Sequence, residues 1–262
     1  MSPACNLACR YCRRTLSVSG ERPGTACRIL AVEEVPGIIE KALSLCPELT
    51  TVGIAGPGEA LASPHAFEAF RLTDRYFPDM IKCLSTNGLL LSEKAEELAG
   101  LHVDTVTVTV NAVDPAIQKK INRAVLFHGK RLEGEEAAAL LIENQLEGIR
   151  KAAENGITVK INIVLIPGIN DGHVEETAAR TAEAGAKLCN IIPLIPQADM
   201  ADLAAPGCAD LEKARSDAGL HLDIFRHCRH CRADAVGKLG EQDLGSRLYG
   251  DRAFDEETFS HG

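Results

Sequence analysis

The stretch MIKCLSTNGLLLSEKAEELAG, residues 80–100, contains one predicted β-strand followed by one predicted α-helix. The strand covers residues 80–88. The helix covers residues 92–100, with Ser92 as its N-cap and Gly100 at its end, because serine accepts a hydrogen bond from the first helical turn and glycine commonly follows the last one. This stretch is therefore one βα unit.

The same unit recurs along the chain. Further strands are predicted at 50–56, 104–114, 158–168, 187–195 and 220–225, and further helices at 31–46, 63–76, 134–156, 173–185 and 209–219. In the helix at 63–76, Ser63 is predicted as the N-cap and Pro64 as the first helical residue. Alternating βα units indicate a parallel sheet covered by helices, so the predicted fold class is α/β, a partial (βα)6 TIM-like barrel.

Polar motifs follow several of these strands. They are GPGE (56–59), STNG (85–88), NAVD (111–114) and PGIND (167–171). Functional residues of parallel barrels gather at the carboxyl ends of the strands, so these motifs are the first candidates for a binding site.

Composition excludes several classes of protein. The chain has 262 residues, 45% of them hydrophobic, which is enough for one large domain. A net charge of −9 argues against a nucleic-acid-binding protein. The chain has neither an apolar run long enough to cross a membrane nor a signal peptide, so no membrane association and a cytoplasmic location are expected. In a reducing compartment, the ten cysteines favour metal ligation over disulfides.

Three of these cysteines, Cys5, Cys9 and Cys12, lie in the segment CNLACRYC, residues 5–12. A cubane [4Fe–4S] cluster takes one thiolate on each of its four irons, so three cysteines leave one iron open for a substrate. A structural zinc site would need a fourth ligand, and zinc remains the alternative. Tyr11 is a candidate aromatic wall beside the cluster.

The C-x₃-C-x-aromatic-C spacing resembles the signature of the radical S-adenosylmethionine (SAM) enzymes. The resemblance implies a [4Fe–4S] cluster on Cys5, Cys9 and Cys12 whose open iron binds SAM and supplies the electron that cleaves it. GPGE resembles the family's Gly-Gly-Glu element, with Pro57 in place of a glycine, and VLIPGIND resembles its adenine-binding segment. The implied SAM contacts are Gly58, Glu59, Asn87, Asn111, Asn162 and Ile166, although asparagine is also a common turn residue.

One strand is expected to be incomplete. If residues 5–12 form the loop after the first strand, only MSPA, residues 1–4, remains to supply that strand, and four residues with a proline are too few. The sequence therefore predicts either a truncated start or a barrel that opens with an incomplete strand.

A second cysteine pair, Cys228 and Cys231, lies in FRHCRHCRADAVG, residues 225–237. Such a CxxC pair is often half of a zinc site, which remains the alternative. Three arginines in the same segment would stabilise a negatively charged cluster. In a radical SAM enzyme this pair indicates a further iron–sulfur cluster.

Across the whole chain the motifs resemble the branch of the superfamily that makes the nitrogenase cofactor. The motifs are HCRHCRADAVG, STNGL, TVTVNAVDP, QLEGI and VLIPGIND, within a match from Cys5 to about Gly240. The resemblance implies a core at 1–240 and a polar tail at 241–262. It also implies an enzyme that fuses two [4Fe–4S] substrate clusters and inserts a carbide derived from SAM, giving an eight-iron precursor.

The same resemblance assigns ligands and partners. Cys228 and Cys231 are implied to hold one substrate cluster and Cys83 to contribute to the other, together with a histidine and a cysteine from a segment upstream of this chain. The remaining cysteines, Cys27, Cys46, Cys189 and Cys208, are expected to be structural. Implied partners are an iron–sulfur cluster donor, an electron donor and the carrier or scaffold proteins of nitrogenase assembly. The alternatives are a radical SAM enzyme acting on a peptide or small molecule and a non-catalytic iron–sulfur carrier.

Overall fold

The computed structural model describes residues 5–12, 30–56, 58–225, 236–237 and 244–249. Its strands are β1 (Leu7–Cys9), β2 (Thr51–Ile54), β3 (Ile81–Thr86), β4 (Thr105–Thr109), β5 (Asn122–Phe127), β6 (Lys130–Glu133), β7 (Thr158–Leu165), β8 (Leu188–Pro193) and β9 (Asp223–Ile224). Its α-helices are α1 (Val35–Leu45), α2 (His65–Tyr76), α3 (Leu91–Gly100), α4 (Pro115–Ile121), α5 (Gly134–Glu154), α6 (Val174–Glu183), α7 (Cys208–Ala218) and α8 (Gly245–Tyr249).

Six strands form one parallel sheet in the order β2-β3-β4-β7-β8-β9. Each of them lies within one of the six predicted strand segments, and helices follow them as predicted. The α/β class and the partial barrel are therefore confirmed. No helix among the described residues is long and apolar enough to cross a membrane.

A second, three-stranded sheet has the order β1-β5-β6 and was not predicted. The hairpin of β5 and β6 turns at His128 and Gly129, whose φ angles of 48° and 76° are both positive, as the tightest hairpin turns require. β1 pairs antiparallel with β5, Leu7 opposite Val125. Within the described residues, the parallel sheet has no strand before β2, and the cysteine segment is held by the hairpin instead.

The helix-facing side of the parallel sheet forms the main core. Leu84, Val108 and Ile161 are fully buried there. They belong to one apolar cluster with helical side chains such as Phe70 and Ile149. This burial is the main source of stability, since it removes apolar surface from water.

The caps of two helices differ from the prediction. α2 begins at His65 with Pro64 as its N-cap, and Ser63 precedes it in an extended conformation. α3 begins at Leu91 with Leu90 as its N-cap, so Ser92 is its second residue. Ser92 instead bonds Asn144 of α5 at 3.0 Å, and this side-chain contact between helices replaces the local cap.

Candidate functional site

The cysteine segment at residues 5–12, called here the cluster loop, is fixed to the rest of the molecule by its backbone. The Arg10 amide donates to the Ile121 carbonyl at 2.9 Å, and the Arg10 carbonyl accepts from the Asp199 amide at 3.0 Å. Within the loop, the Cys12 amide donates to the Cys9 carbonyl at 3.1 Å. The loop therefore has a defined shape, which it owes to α4 and to the segment after β8.

The three thiols of the cluster loop lie close enough together to influence one another. Burial raises the pKa of the Cys9 thiol far above its usual range, and the charges of Cys12 and Cys5 raise it further. Asn122 on β5 donates to the Cys9 sulfur at 3.2 Å. Three such thiols become thiolates together only beside a strongly positive metal core, so this donor set fits an iron–sulfur cluster.

A single metal ion fits the loop less well. Nowhere in the described part of the chain do three histidine, cysteine or acidic side chains converge on one point as a mononuclear site requires. A cubane places its irons apart and takes one thiolate on each. Three thiols that do not share one point are compatible with a cluster, and zinc stays the alternative.

Tyr11 and Asn111 connect the cluster loop to the strand ends. Asn111, two residues after the end of β4, donates from Nδ2 to the Tyr11 hydroxyl at 3.1 Å and accepts from the Val164 amide at 2.9 Å. Both side chains are buried, and burial raises the pKa of Tyr11, which keeps the phenol protonated. Asn111 is thus a structural junction between β4, β7 and the loop.

A second asparagine at this junction, Asn170, was missed by sequence reasoning. Its Nδ2 donates to the Asn111 carbonyl and to the Val164 carbonyl, each at 2.9 Å. Its Oδ1 accepts from the amide of Ile166 at 2.7 Å. The motif PGIND contains this residue, but only the fold shows that it joins two strand ends. Since the Ile166 amide is bonded to Asn170, a ligand contact at Ile166 would use another part of that residue.

Glu59 is buried where its loop meets the end of β3. Its Oε1 accepts from the Leu61 amide at 3.0 Å and from the Thr86 hydroxyl at 2.5 Å, and its Oε2 accepts from the Asn87 amide at 2.7 Å. Burial raises the pKa of this carboxyl above its usual value, and the three hydrogen-bond donors offset only part of that increase. A carboxylate oxygen has two lone pairs, so Oε2 retains the capacity to accept from an ammonium group such as that of SAM.

Asn87 links the end of β3 to the cluster loop. Its Nδ2 donates to Asn6 at 2.7 Å, and its backbone carbonyl accepts from Gln145 of α5 at 2.7 Å. The same Gln145 nitrogen also donates to the Thr109 carbonyl at 2.9 Å, so α5 holds the ends of β3 and β4 together. Gln145 was not predicted, because a glutamine in a long helix carries no signal of such a role.

The predicted site residues therefore fall into three groups. The first group lies at the carboxyl edge of the sheet and consists of the cluster loop, Glu59, Asn87, Asn111 and Ile166. Gly58 precedes Glu59 in the same loop. Asn162 and Cys83 lie in the middle of β7 and β3, away from the carboxyl edge. Asn190 donates from Nδ2 to the Asn162 Oδ1 at 3.4 Å. Cys228 and Cys231 lie outside the described residues. The ligand contacts of all these residues stay predictions.

Comparison with solved structures supports the fold. The chain is similar to the structure described as native anSMEcpe with bound AdoMet, with a TM-score of 0.57 and 17% identity over 85% of this chain and 61% of that one. It is also similar to methylornithine synthase, with a TM-score of 0.53 and 14% identity over 94% of this chain and 78% of the other. At these identities the likeness concerns the fold alone.

Sequence comparison identifies the family. Residues 1–181 match the profile of the radical SAM superfamily. A FeMo cofactor biosynthesis protein NifB from Methanocaldococcus infernus is 43% identical over 100% of this chain and 90% of its own length. The NifB of Methanocaldococcus jannaschii is 43% identical over 100% of this chain and 89% of its own. The chain therefore belongs to the radical SAM superfamily and, within it, to the NifB family of FeMo cofactor biosynthesis proteins.

Proposed function

We propose that this radical SAM enzyme fuses two [4Fe–4S] substrate clusters and inserts a carbide derived from SAM, giving the eight-iron precursor of the FeMo cofactor. The proposal is carried by the cluster loop, where three thiols are held close together at the carboxyl edge of a partial barrel. The relatives that are matched over 89–90% of their length are named FeMo cofactor biosynthesis protein NifB, which supports a role in making that cofactor.

The residues of the site have distinct tasks in this proposal. Cys5, Cys9 and Cys12 hold a [4Fe–4S] cluster with an open iron, which supplies the electron for SAM cleavage when SAM is bound. Glu59 accepts the SAM ammonium on Oε2. Asn111 and Tyr11 keep the cluster loop at a constant position relative to β4 and β7, which matters because small displacements of reacting groups lower rates strongly.

The two substrate clusters are assigned to the remaining cysteines. We assign one to Cys228 and Cys231, and the other to Cys83 together with further ligands. Delivery of the clusters, the reducing electron and removal of the product are assigned to a cluster donor, an electron donor and a carrier or scaffold protein of nitrogenase assembly.

The first experiment compares Cys9→Ala with Cys208→Ala, which removes an exposed cysteine at the start of α7. After anaerobic reconstitution and reduction, wild type and Cys208→Ala should convert SAM to 5′-deoxyadenosine. Cys9→Ala should do so at least about 100-fold more slowly, because a lost ligand costs more than the 10–100-fold effect of a lost outer partner. Equal rates in all three proteins would refute the cluster assignment.

A second experiment separates carbide insertion from the alternatives. With SAM labelled in its methyl carbon, wild type should transfer the label into an acid-extractable iron cluster. The double variant Cys228→Ala, Cys231→Ala should lose about four irons per chain, one cubane, and transfer no label. SAM cleavage without label transfer by wild type would instead indicate an enzyme for a peptide or small molecule, and no SAM cleavage would indicate a carrier.

A further inference from the structure

The Cys9 sulfur is hydrogen-bonded by two neighbouring side chains. One is Tyr11, whose hydroxyl also accepts from Asn111. The other is Asn122, whose Nδ2 donates to the sulfur at 3.2 Å. Tyr11 belongs to the cluster loop, whereas Asn122 is the first residue of β5. Of these two bonds, the one from Asn122 therefore ties the sulfur to another element of the fold.

Backbone pairing fixes where Asn122 lies. Cys9 and Asn122 are register partners in the antiparallel pair of β1 and β5. Next to them, the Arg10 amide donates to the Ile121 carbonyl at 2.9 Å. The two backbones are thus joined at this point independently of the side chains. Asn122 is only 6% exposed, so its amide reaches the sulfur in a place nearly closed to water.

A second amide decides which end of the Asn122 side chain faces the sulfur. Gln118, one turn earlier in α4 and 2% exposed, donates from Nε2 to the Asn122 Oδ1. This bond leaves Nδ2, the donor end, directed at Cys9. A thiolate only accepts hydrogen bonds, so the reverse orientation would place the amide oxygen against a negatively charged sulfur. Gln118 therefore selects the orientation that a metal-bound thiolate needs.

The same glutamine leaves a polar atom unsatisfied. Among the described residues, no group donates to Gln118 Oε1, although this oxygen is buried. Buried amide oxygens are nearly always bonded, and leaving one unbonded lowers stability. Ile121, in the same helix, is fully buried, so apolar side chains are accommodated there. Stability therefore does not account for Gln118, whereas the orientation of Asn122 does.

A hydrogen bond to a cysteine ligand changes the electronic properties of the cluster that the cysteine holds. The N–H dipole withdraws electron density from the sulfur and stabilises the reduced form, which carries one more negative charge. Hydrogen bonds to the sulfurs are among the factors that set the reduction potentials of iron–sulfur clusters. The effect is stronger where the bond is shielded from water, because the local dielectric constant is low.

We propose that Asn122, oriented by Gln118, is a positioning residue that raises the reduction potential of the cluster assigned to the cluster loop. The inference rests on the proposed function, which assigns a [4Fe–4S] cluster to those three thiols. Asn122 acts through the Cys9 sulfur, and Gln118 acts through Asn122. A higher potential makes the reduced cluster accessible to a weaker electron donor, so this pair of amides sets which reductants can serve the enzyme.

The test is a potentiometric titration of anaerobically reconstituted protein, with the reduced cluster followed by electron paramagnetic resonance. Asn122→Leu removes the donor at similar volume, and Gln118→Leu removes the group that orients it. Asn144→Leu removes a partly buried amide on α5 and is the matched control. Cys9→Ala identifies which signal belongs to the cluster loop. Iron content and melting temperature establish that each variant is loaded and folded.

The expected shifts differ among the variants. Asn122→Leu should lower the equilibrium constant for one-electron reduction about tenfold, a shift of about 59 mV to lower potential. Gln118→Leu should lower it about threefold, because the Asn122 amide then turns between two orientations. The double variant should match Asn122→Leu, since Gln118 acts only through Asn122 and the two changes are not additive. Asn144→Leu should titrate like wild type.

Three results would overturn the inference or one part of it. If Cys9→Ala lacks the signal but both single variants titrate like wild type, Asn122 does not set the potential and the proposed function stands. If the double variant shows the sum of the two shifts, or Gln118→Leu shows none, Gln118 has no orienting role. If Cys9→Ala keeps the signal and the iron of wild type, the cluster loop holds no cluster, and the proposed function fails together with the inference.

Discussion

The two sides of β3 differ in what their side chains contribute. On the helix side, Leu84 is fully buried among apolar residues, and Lys82 is buried with its ammonium 3.0 Å from Asp74 of α2. On the interior side, Cys83 and Ser85 are only partly buried. One strand therefore has a packed side and a partly open side, and period-two alternation keeps the two apart.

The carboxyl edge of the sheet is a third environment, buried but polar. Glu59 and Asn111 are 3% and 4% exposed, yet each is bonded to several groups from different elements. Hydrogen bonds of this kind are directional, whereas apolar contacts are not. The helix side thus sets how stable the barrel is, and the carboxyl edge sets where the cluster loop lies.

The largest difference in the free energy of unfolding should appear when Leu84→Ala, on the helix side of β3, is compared with Ser85→Ala, on the interior side. Leu84→Ala should lower the free energy of unfolding by about 3 kcal/mol, because it leaves a cavity in a packed core. Ser85→Ala should lower it by less than about 0.5 kcal/mol, as for sites outside the packed core. Urea unfolding of both variants measures this, and equal losses would show that the interior side is also packed for stability.

At the carboxyl edge, Asn111→Ala should lower the free energy of unfolding by about 2 kcal/mol. It removes the bonds to the Tyr11 hydroxyl and the Val164 amide, each worth about 1 kcal/mol. Because Tyr11 lies in the cluster loop, the variant should also lose iron to a chelator faster than wild type.

The control for Asn111→Ala is Asn155→Ala, at the exposed end of α5. This variant should lose iron at the wild-type rate, and its free energy of unfolding should change by no more than a few tenths of a kcal/mol. If Asn111→Ala lowered stability without affecting the iron, the asparagine would be a structural residue with no influence on the loop.

A smaller effect than that of Asn111→Ala is expected for Asp74→Asn on the helix side. Breaking a buried ion pair costs 3–5 kcal/mol, but the Asp74 side chain is 33% exposed and water screens it, so about 1.5 kcal/mol is expected. The bond from Lys82, followed by that from His102, lowers the pKa of Asp74.

A lowered folded-state pKa gives this pair a defined pH dependence. The stabilisation is present above the unfolded pKa of about 3.9 and is lost as pH falls through the lower folded value. The difference in the free energy of unfolding between wild type and Asp74→Asn should therefore shrink as the pH falls from 6 to 3. A constant difference across that range would mean that the ion pair is not the cause.

Much of the architecture was predictable because its signals are local. Each of the six strands, and a helix as long as α5, has a hydrophobic pattern that repeats within one segment. The hairpin of β5 and β6 was missed because its strands are short and partly exposed, and its turn begins with His128 rather than the usual asparagine or aspartate.

The sequence was sufficient for the βα series, for the three-cysteine loop and for the family, because these depend on periodicity and on spacing within a few residues. It was not sufficient for the connections that hold the loop in place. These connections are hydrogen bonds from the side chains of Asn122, Asn170 and Gln145 to groups that only folding brings near. Asn122, for example, bonds the sulfur of Cys9, 113 positions away in the chain. Nor does spacing reveal that Thr107 and Lys160 share a face with Cys83, since strand register is set by long-range pairing that no local pattern encodes.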